Sequence, residues 1–162
     1  MSLDSVRTFL AEHAPDLEIL ETEARTATVA EAAAAHGVEP AQIAKTLSLR
    51  VGERVVLVVA RGDARLDNKK AKATFGGKPR MLDAEEVVAL TGHPVGGVCP
   101  FGLARPLPVY CDLSLRAFDA VWPAAGSVNS ALRIAPERMA ALVGAEWVDV
   151  CQTAAVAAEG CG

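Results

Sequence analysis

The sequence predicts a mixed α/β fold: one domain with a curled, mixed and partly antiparallel sheet flanked by helices. Three observations predict it. Helical periodicities and β-type runs are interleaved without a strict βαβ rhythm. Two apolar strands, Lys45–Val51 and Val55–Ala60, stand back to back across Gly52-Glu53, which reads as a hairpin. The chain has 162 residues, 51% of them apolar and 22% charged, which is enough to bury one core and excludes a disordered chain.

The elements follow in order. Leu3, Val6, Phe9 and Leu10 are three and four apart, so residues 3–13 form an amphipathic helix that Pro15 ends. Leu17–Leu20 is a short apolar strand. Thr28 and Glu31 form a capping box ahead of an alanine-rich helix, 29–36, with Gly37 just past its end. Pro40 starts a helical turn through Ile43. Val55–Ala60 is continuously apolar and β-branched, so it is buried on both faces. Asp67 caps a lysine-rich helix, 68–75, stopped by Gly76-Gly77. Asp83 and Glu86 form a second capping box. Leu107–Cys111 is a strand that Pro108 marks as an edge or a bulge. A helical turn over 113–118, a strand over 120–122, a tight turn at 124–127 and a strand over 131–134 follow. Pro136 opens a helix to Val143, ended by Gly144, and Glu146–Val150 is the last strand. Residues 1–151 thus read as one domain and the small-residue stretch 152–162 as a loose tail.

Composition narrows the function. No window approaches a membrane span, and the amino terminus is interrupted by Asp4, Arg7 and Glu12, so neither a membrane protein nor a secreted one is expected and the cytoplasm is the expected location. The cysteines, Cys99, Cys111, Cys151 and Cys161, have no metal-ligand spacing with one another or with a histidine. No zinc site is expected, and no motif calls for a cofactor. The net charge is −4, yet residues 61–80 hold seven basic residues against two acidic ones, about +5, which leaves about −9 for the rest. A basic face on an acidic body suits a phosphate backbone met on one side. Arg65, Lys69, Lys70 and Lys72 are the candidate contacts, with a solvated helix as the plain alternative.

Two places carry chemistry. Thr91-Gly92-His93-Pro94-Val95-Gly96-Gly97-Val98-Cys99-Pro100-Phe101-Gly102 packs four glycines and two prolines into twelve residues. It is a shaped loop whose backbone N–H groups can receive a carbonyl or carboxylate. It matches neither a phosphate loop nor a dinucleotide fingerprint, and the chain has no GxSxG or HExxH. Lys45, at the entry to an apolar strand, either snorkels outward or points into a cavity where it attracts a phosphate or carbonyl oxygen.

Ile43-Ala44-Lys45-Thr46-Leu47, the loop 91–102 and Leu107-Pro108-Val109-Tyr110-Cys111-Asp112 together resemble the YbaK family, which includes the inserted editing domain of bacterial prolyl-tRNA synthetases. Ala125-Gly126-Ser127 is a weaker match, and the resemblance spans about residues 28–150. It implies a YbaK-like fold and a free-standing deacylase that hydrolyses the ester of a mischarged tRNA, often tRNA for proline carrying a smaller amino acid. On that resemblance Lys45 holds the phosphate or ribose end. The backbone of Gly96, Gly97 and Val98 holds the scissile carbonyl. Thr46, Cys99, Pro100, Phe101, Ser127 and Asn129 surround the substrate, with His93 as further pocket lining. The nucleophile is a water aided by the substrate's ribose hydroxyl. The partners are the mischarged aminoacyl-tRNA and an aminoacyl-tRNA synthetase. Where relatives carry an acidic residue after the second glycine turn, this chain has Ala131, with Asn129 and Ser127 the nearest polar groups. The competing readings are a module that binds an aminoacyl or nucleotide group without hydrolysis, and a synthetase-associated tRNA-binding module.

Overall fold

The computed structural model describes residues 2–23 and 28–153. Helix α1 (Ser2–His13) leads to a two-residue strand β1 (Leu20–Glu21), shorter and later than the expected strand over 17–20. Helix α2 (Val29–His36) starts at the predicted capping box: Thr28 Oγ1 accepts from Glu31 N–H, and Thr28 N–H donates to Glu31 Oε1, both at 3.1 Å. A 3₁₀ turn at Pro40–Gln42 delivers the chain into β2 (Ile43–Val51), which pairs antiparallel with β3 (Arg54–Arg61) along its length. Then follow β4 (Ala64–Leu66), α3 (Asn68–Phe75), β5 (Arg80–Met81) and α4 (Ala84–Thr91). After the glycine-proline loop come β6 (Val109–Asp112), a 3₁₀ turn at Leu113–Ala117, β7 (Trp122–Pro123), β8 (Ser130–Ala131), α5 (Pro136–Val143), β9 (Glu146–Val148) and β10 (Cys151–Thr153).

The mixed α/β expectation holds. The main sheet runs β5-β2-β3-β6-β9, with β7 also on β2, and it is open. Its β2–β3 and β2–β5 pairs are antiparallel, while β2–β7, β3–β6 and β6–β9 are parallel. Pro108 does not mark an edge: β6 lies inside the sheet between β3 and β9. Pro108 stands one residue before the strand, where its missing N–H costs nothing and its carbonyl accepts from Leu57 N–H at 2.9 Å. Strand β10 pairs with β4 and takes in Gln152 and Thr153, two residues assigned to the tail; the remainder of that segment lies outside the described residues.

As its apolar run predicts, β3 is buried on both faces, and its alternate side chains feed two cores. Leu57 and Val59 join Val6, Leu10, Phe101, Leu115, Leu132 and Met139 on one side. Val56 and Val58 join Leu49, Ala71, Phe75 and Val150 on the other. At the end of β6, the buried Asp112 carboxylate accepts from the N–H groups of Ser114 (3.0 Å), Val150 (2.8 Å) and Cys151 (3.1 Å). That arrangement fastens the β9–β10 connection to the middle of the sheet.

Candidate active site

The outer edge of β2 is covered at its two ends and open between them. Ala44 pairs with Pro123 of β7, Leu49 and Arg50 pair with β5, and Ser48 O accepts from Leu82 N–H at 3.0 Å. Thr46 lies between, and among the described residues it has no strand partner on that side. A cavity of about 230 Å³ occupies this gap. Its walls are Val29 and Ala32 of α2, Ala44 to Thr46 and Ser48 of β2, Leu82 and Val87 next to and on α4, Val95, Gly96 and Val98 of the loop, and Trp122, Ala124, Ser130 and Ala131. The walls are mostly apolar, and no acidic side chain lines them among the described residues.

The loop and the turn at 124–130 are built against each other. Gly97 N–H donates to Pro94 O at 2.8 Å, and Gly126 N–H donates to Gly97 O at 3.1 Å. A Cβ on Gly97 would lie 2.8 Å from the Ser127 backbone, so only glycine fits. The N–H of Gly97, expected to take part in the carbonyl cradle, is therefore already used. Among the described residues nothing accepts from the N–H groups of Gly96 and Val98, and both residues line the cavity.

Lys45 is half-buried at the cavity wall. Its ammonium donates to Gly62 O at 3.1 Å and to Ala64 O, which leaves one of its three donors uncommitted. Gly62 is required here, since a Cβ would meet Pro40 O at 2.0 Å. Burial is the main cause that holds the Lys45 ammonium below its ordinary 10.5; Asp63 opposes the shift and Arg65 adds to it. The lysine thus neither snorkels nor hangs free in a cavity: two carbonyls anchor it at the rim.

Other residues fall elsewhere than expected. Cys99 and Phe101 are fully buried and Pro100 is buried with them; they form core beneath the loop, not cavity wall. His93 is equally buried, with Nε2 2.8 Å from Phe101 O and 3.6 Å from Cys99 Sγ. The apolar surroundings push the Cys99 thiol up to about 12 and hold the His93 imidazole below 6.5. Ser127 and Asn129 do not line the cavity. Ser127 Oγ lies 2.6 Å from Ser130 Oγ and 2.9 Å from Asn129 Oδ1, and Asn129 Nδ2 donates to Thr22 O at 3.0 Å. They brace the turn that presents Ser130 and Ala131. Thr46 does line it.

In the basic segment, Lys70 is occupied by Asp149 at 3.0 Å and Arg61 by Asp63 at 2.8 Å. Arg65, Lys69 and Lys72 are exposed and form no ion pair among the described residues. The sequence reading missed Trp122, stacked on His36 with ring centroids 5.0 Å apart, and the contributions of α2 and α4. No local signal marks these residues, because pairing far along the chain brings them to the gap.

A family model described as an aminoacyl-tRNA editing domain matches residues 23–142. The chain is 48% identical to the uncharacterised protein YwhH of Bacillus subtilis (strain 168), with 94% of this chain and 98% of that one covered. It is 32% identical to EbsC of Enterococcus faecalis (strain ATCC 700802 / V583), provisionally named a Cys-tRNA(Pro)/Cys-tRNA(Cys) deacylase, over 70% of this chain and 71% of that one. A crystal structure described provisionally as a trans-editing enzyme for prolyl tRNA synthetase superimposes with a TM-score of 0.86 at 37% identity, covering 93% of this chain and 97% of its own.

Proposed function

We propose, from the premise that the chain belongs to the aminoacyl-tRNA editing domain family, that it is a trans-editing deacylase hydrolysing the ester of mischarged tRNA, above all tRNA for proline carrying a small amino acid. The observation that carries this reading is the cavity of about 230 Å³ at the open edge of β2, whose lining includes Gly96, Val98 and the anchored Lys45; among the described residues nothing accepts from the N–H groups of Gly96 and Val98. The proline tRNA is supported by what the relatives are named for.

The ester carbonyl oxygen accepts from Gly96 N–H and Val98 N–H. As water adds to the carbonyl carbon, the negative charge that develops on that oxygen is held by donors already in place. The remaining N–H of Lys45 meets a phosphate or ribose oxygen of the acceptor end, which fixes the ester against the loop. Collapse of the tetrahedral intermediate breaks the bond to the ribose oxygen, which takes a proton, and releases free amino acid and uncharged tRNA. A ribose hydroxyl of the substrate orients the water, so no side chain is asked to act as base. The reaction needs no cofactor and runs in the cytoplasm, with a synthetase as the source of the mischarged tRNA.

The test is hydrolysis of tRNA charged with proline, alanine, cysteine, serine or threonine. At least one mischarged species is cleaved, and Lys45→Ala loses about 100-fold or more in kcat/KM. If every ester survives at the buffer rate, the enzyme is excluded and the binding-module reading takes its place.

A further inference from the structure

Arg61 counts with the basic segment in the sequence, yet its side chain is only 13% exposed. It grips Asp63 with two prongs, Nε on Oδ1 and Nη2 on Oδ2, the latter at 2.8 Å. Both oxygens of the carboxylate are engaged. Gly62-Asp63 is the turn between β3 and β4, and the carbonyls that hold Lys45 belong to the residues on either side of Asp63, Gly62 and Ala64. The turn has little room to move. A Cβ on Gly62 would lie 2.0 Å from Pro40 O and 2.9 Å from Val29 Cγ1, so this backbone is pressed against the 3₁₀ turn and α2.

An anionic side chain thus stands between the two anchors of the Lys45 ammonium. Three charges act on that ammonium besides its burial: Cys151 and Asp63 favour it, and Arg65 opposes it. Burial pushes the Cys151 thiol up to about 12, so it is neutral near pH 7. Asp63 is the one carboxylate of the three. Left unpaired, it would take the remaining N–H of Lys45 in a charge-assisted bond, stronger than either carbonyl contact. That bond would cancel the charge and occupy the donor that a phosphate or ribose oxygen needs. Resting on the deacylase reading, we infer that Arg61 is a positioning residue: by occupying both oxygens of Asp63 it keeps that carboxylate off Lys45 and leaves the ammonium open to substrate. A guanidinium suits the task, because its planar fork matches a carboxylate and stays charged at every pH the fold meets.

The test follows two readouts in wild type, Arg61→Ala and Arg61→Ala/Asp63→Asn. The first is hydrolysis of a mischarged tRNA that the wild type cleaves. Arg61→Ala loses about tenfold or more in kcat/KM, and adding Asp63→Asn restores most of it. An ion pair with only a structural role gives the opposite result, since the double variant lacks both partners and stays as slow as the single one. That result overturns the inference while the deacylase reading stands. The second readout is the titration of Lys45, followed by NMR of isotope-labelled lysine side chains with Lys45→Arg to assign the signal. Its midpoint rises by about one pH unit in Arg61→Ala and falls back in the double variant. An unmoved midpoint overturns the inference. Arg61→Lys keeps the charge without the fork and carries the same comparison if Arg61→Ala does not fold. If no ester is cleaved, the deacylase reading falls and the titration alone decides the role of Arg61.

Discussion

His93, sealed beneath the loop that offers Gly96 and Val98, makes stability depend on pH. Burial holds its imidazole below 6.5, and the same cause acts on His36. The unfolded chain takes up protons near 6.5 while the folded one does not. Stability therefore rises with pH through this window and declines as pH drops below it. Thermal melts are expected to show a lower Tm at pH 5.5 than at pH 7.5, with a flatter profile in the double variant His36→Gln/His93→Gln. An unaltered profile would assign the dependence to other groups. Gly97 sets a second constraint at this scale. In Gly97→Ala the new methyl must displace the Ser127 backbone or the loop, at a cost of about 1–3 kcal/mol. Single-turnover hydrolysis is expected to fall further than stability does, because the same shift moves the Gly96 and Val98 donors; full activity would detach the loop from the chemistry. The glycines and prolines of 91–102 announced a shaped loop. Which of its amides is free was not legible there, since that depends on Pro94 O reaching Gly97 N–H.

Capping residues explain why the helices were readable as elements. Thr28 and Glu31, Asp67, and Asp83 and Glu86 satisfy helix-end N–H groups from within three residues, so their signal is local. The short strands had no such signal. β4 meets β10 and β1 meets β8 across most of the chain length, and two or three residues cannot display a period. Besides the pairing of β9 with β6 and of β10 with β4, one carboxylate fastens the connection between them. Asp112→Ala leaves the N–H groups of Ser114, Val150 and Cys151 without their acceptor and is expected to cost about 3 kcal/mol in urea unfolding. A loss below about 1 kcal/mol would mean that other acceptors replace it.

Across the whole molecule, the net charge of −4 hides a segment, residues 61–80, that holds seven basic residues against two acidic ones. Lys70 is paired with Asp149, so of the four proposed contacts to a phosphate backbone Arg65, Lys69 and Lys72 are the ones without an ion pair among the described residues. Charge reversal of Lys69 and Lys72 together is expected to weaken tRNA binding and to lower the slope of log K against log salt by about 2. A slope equal to that of the wild type would make the flank solvated surface. By itself the sequence determined the helices, the β2–β3 hairpin, the two-faced burial of β3 and the loop at 91–102, because caps, periodicity and turn chemistry act over a few residues. Only the tertiary structure decided that β2 keeps an open edge at Thr46, that Lys45 is anchored by Gly62 and Ala64, and that Cys99 and Phe101 are core. Each of these depends on which distant backbone groups meet, and hydrogen-bond partners tens of residues apart leave no local pattern to read.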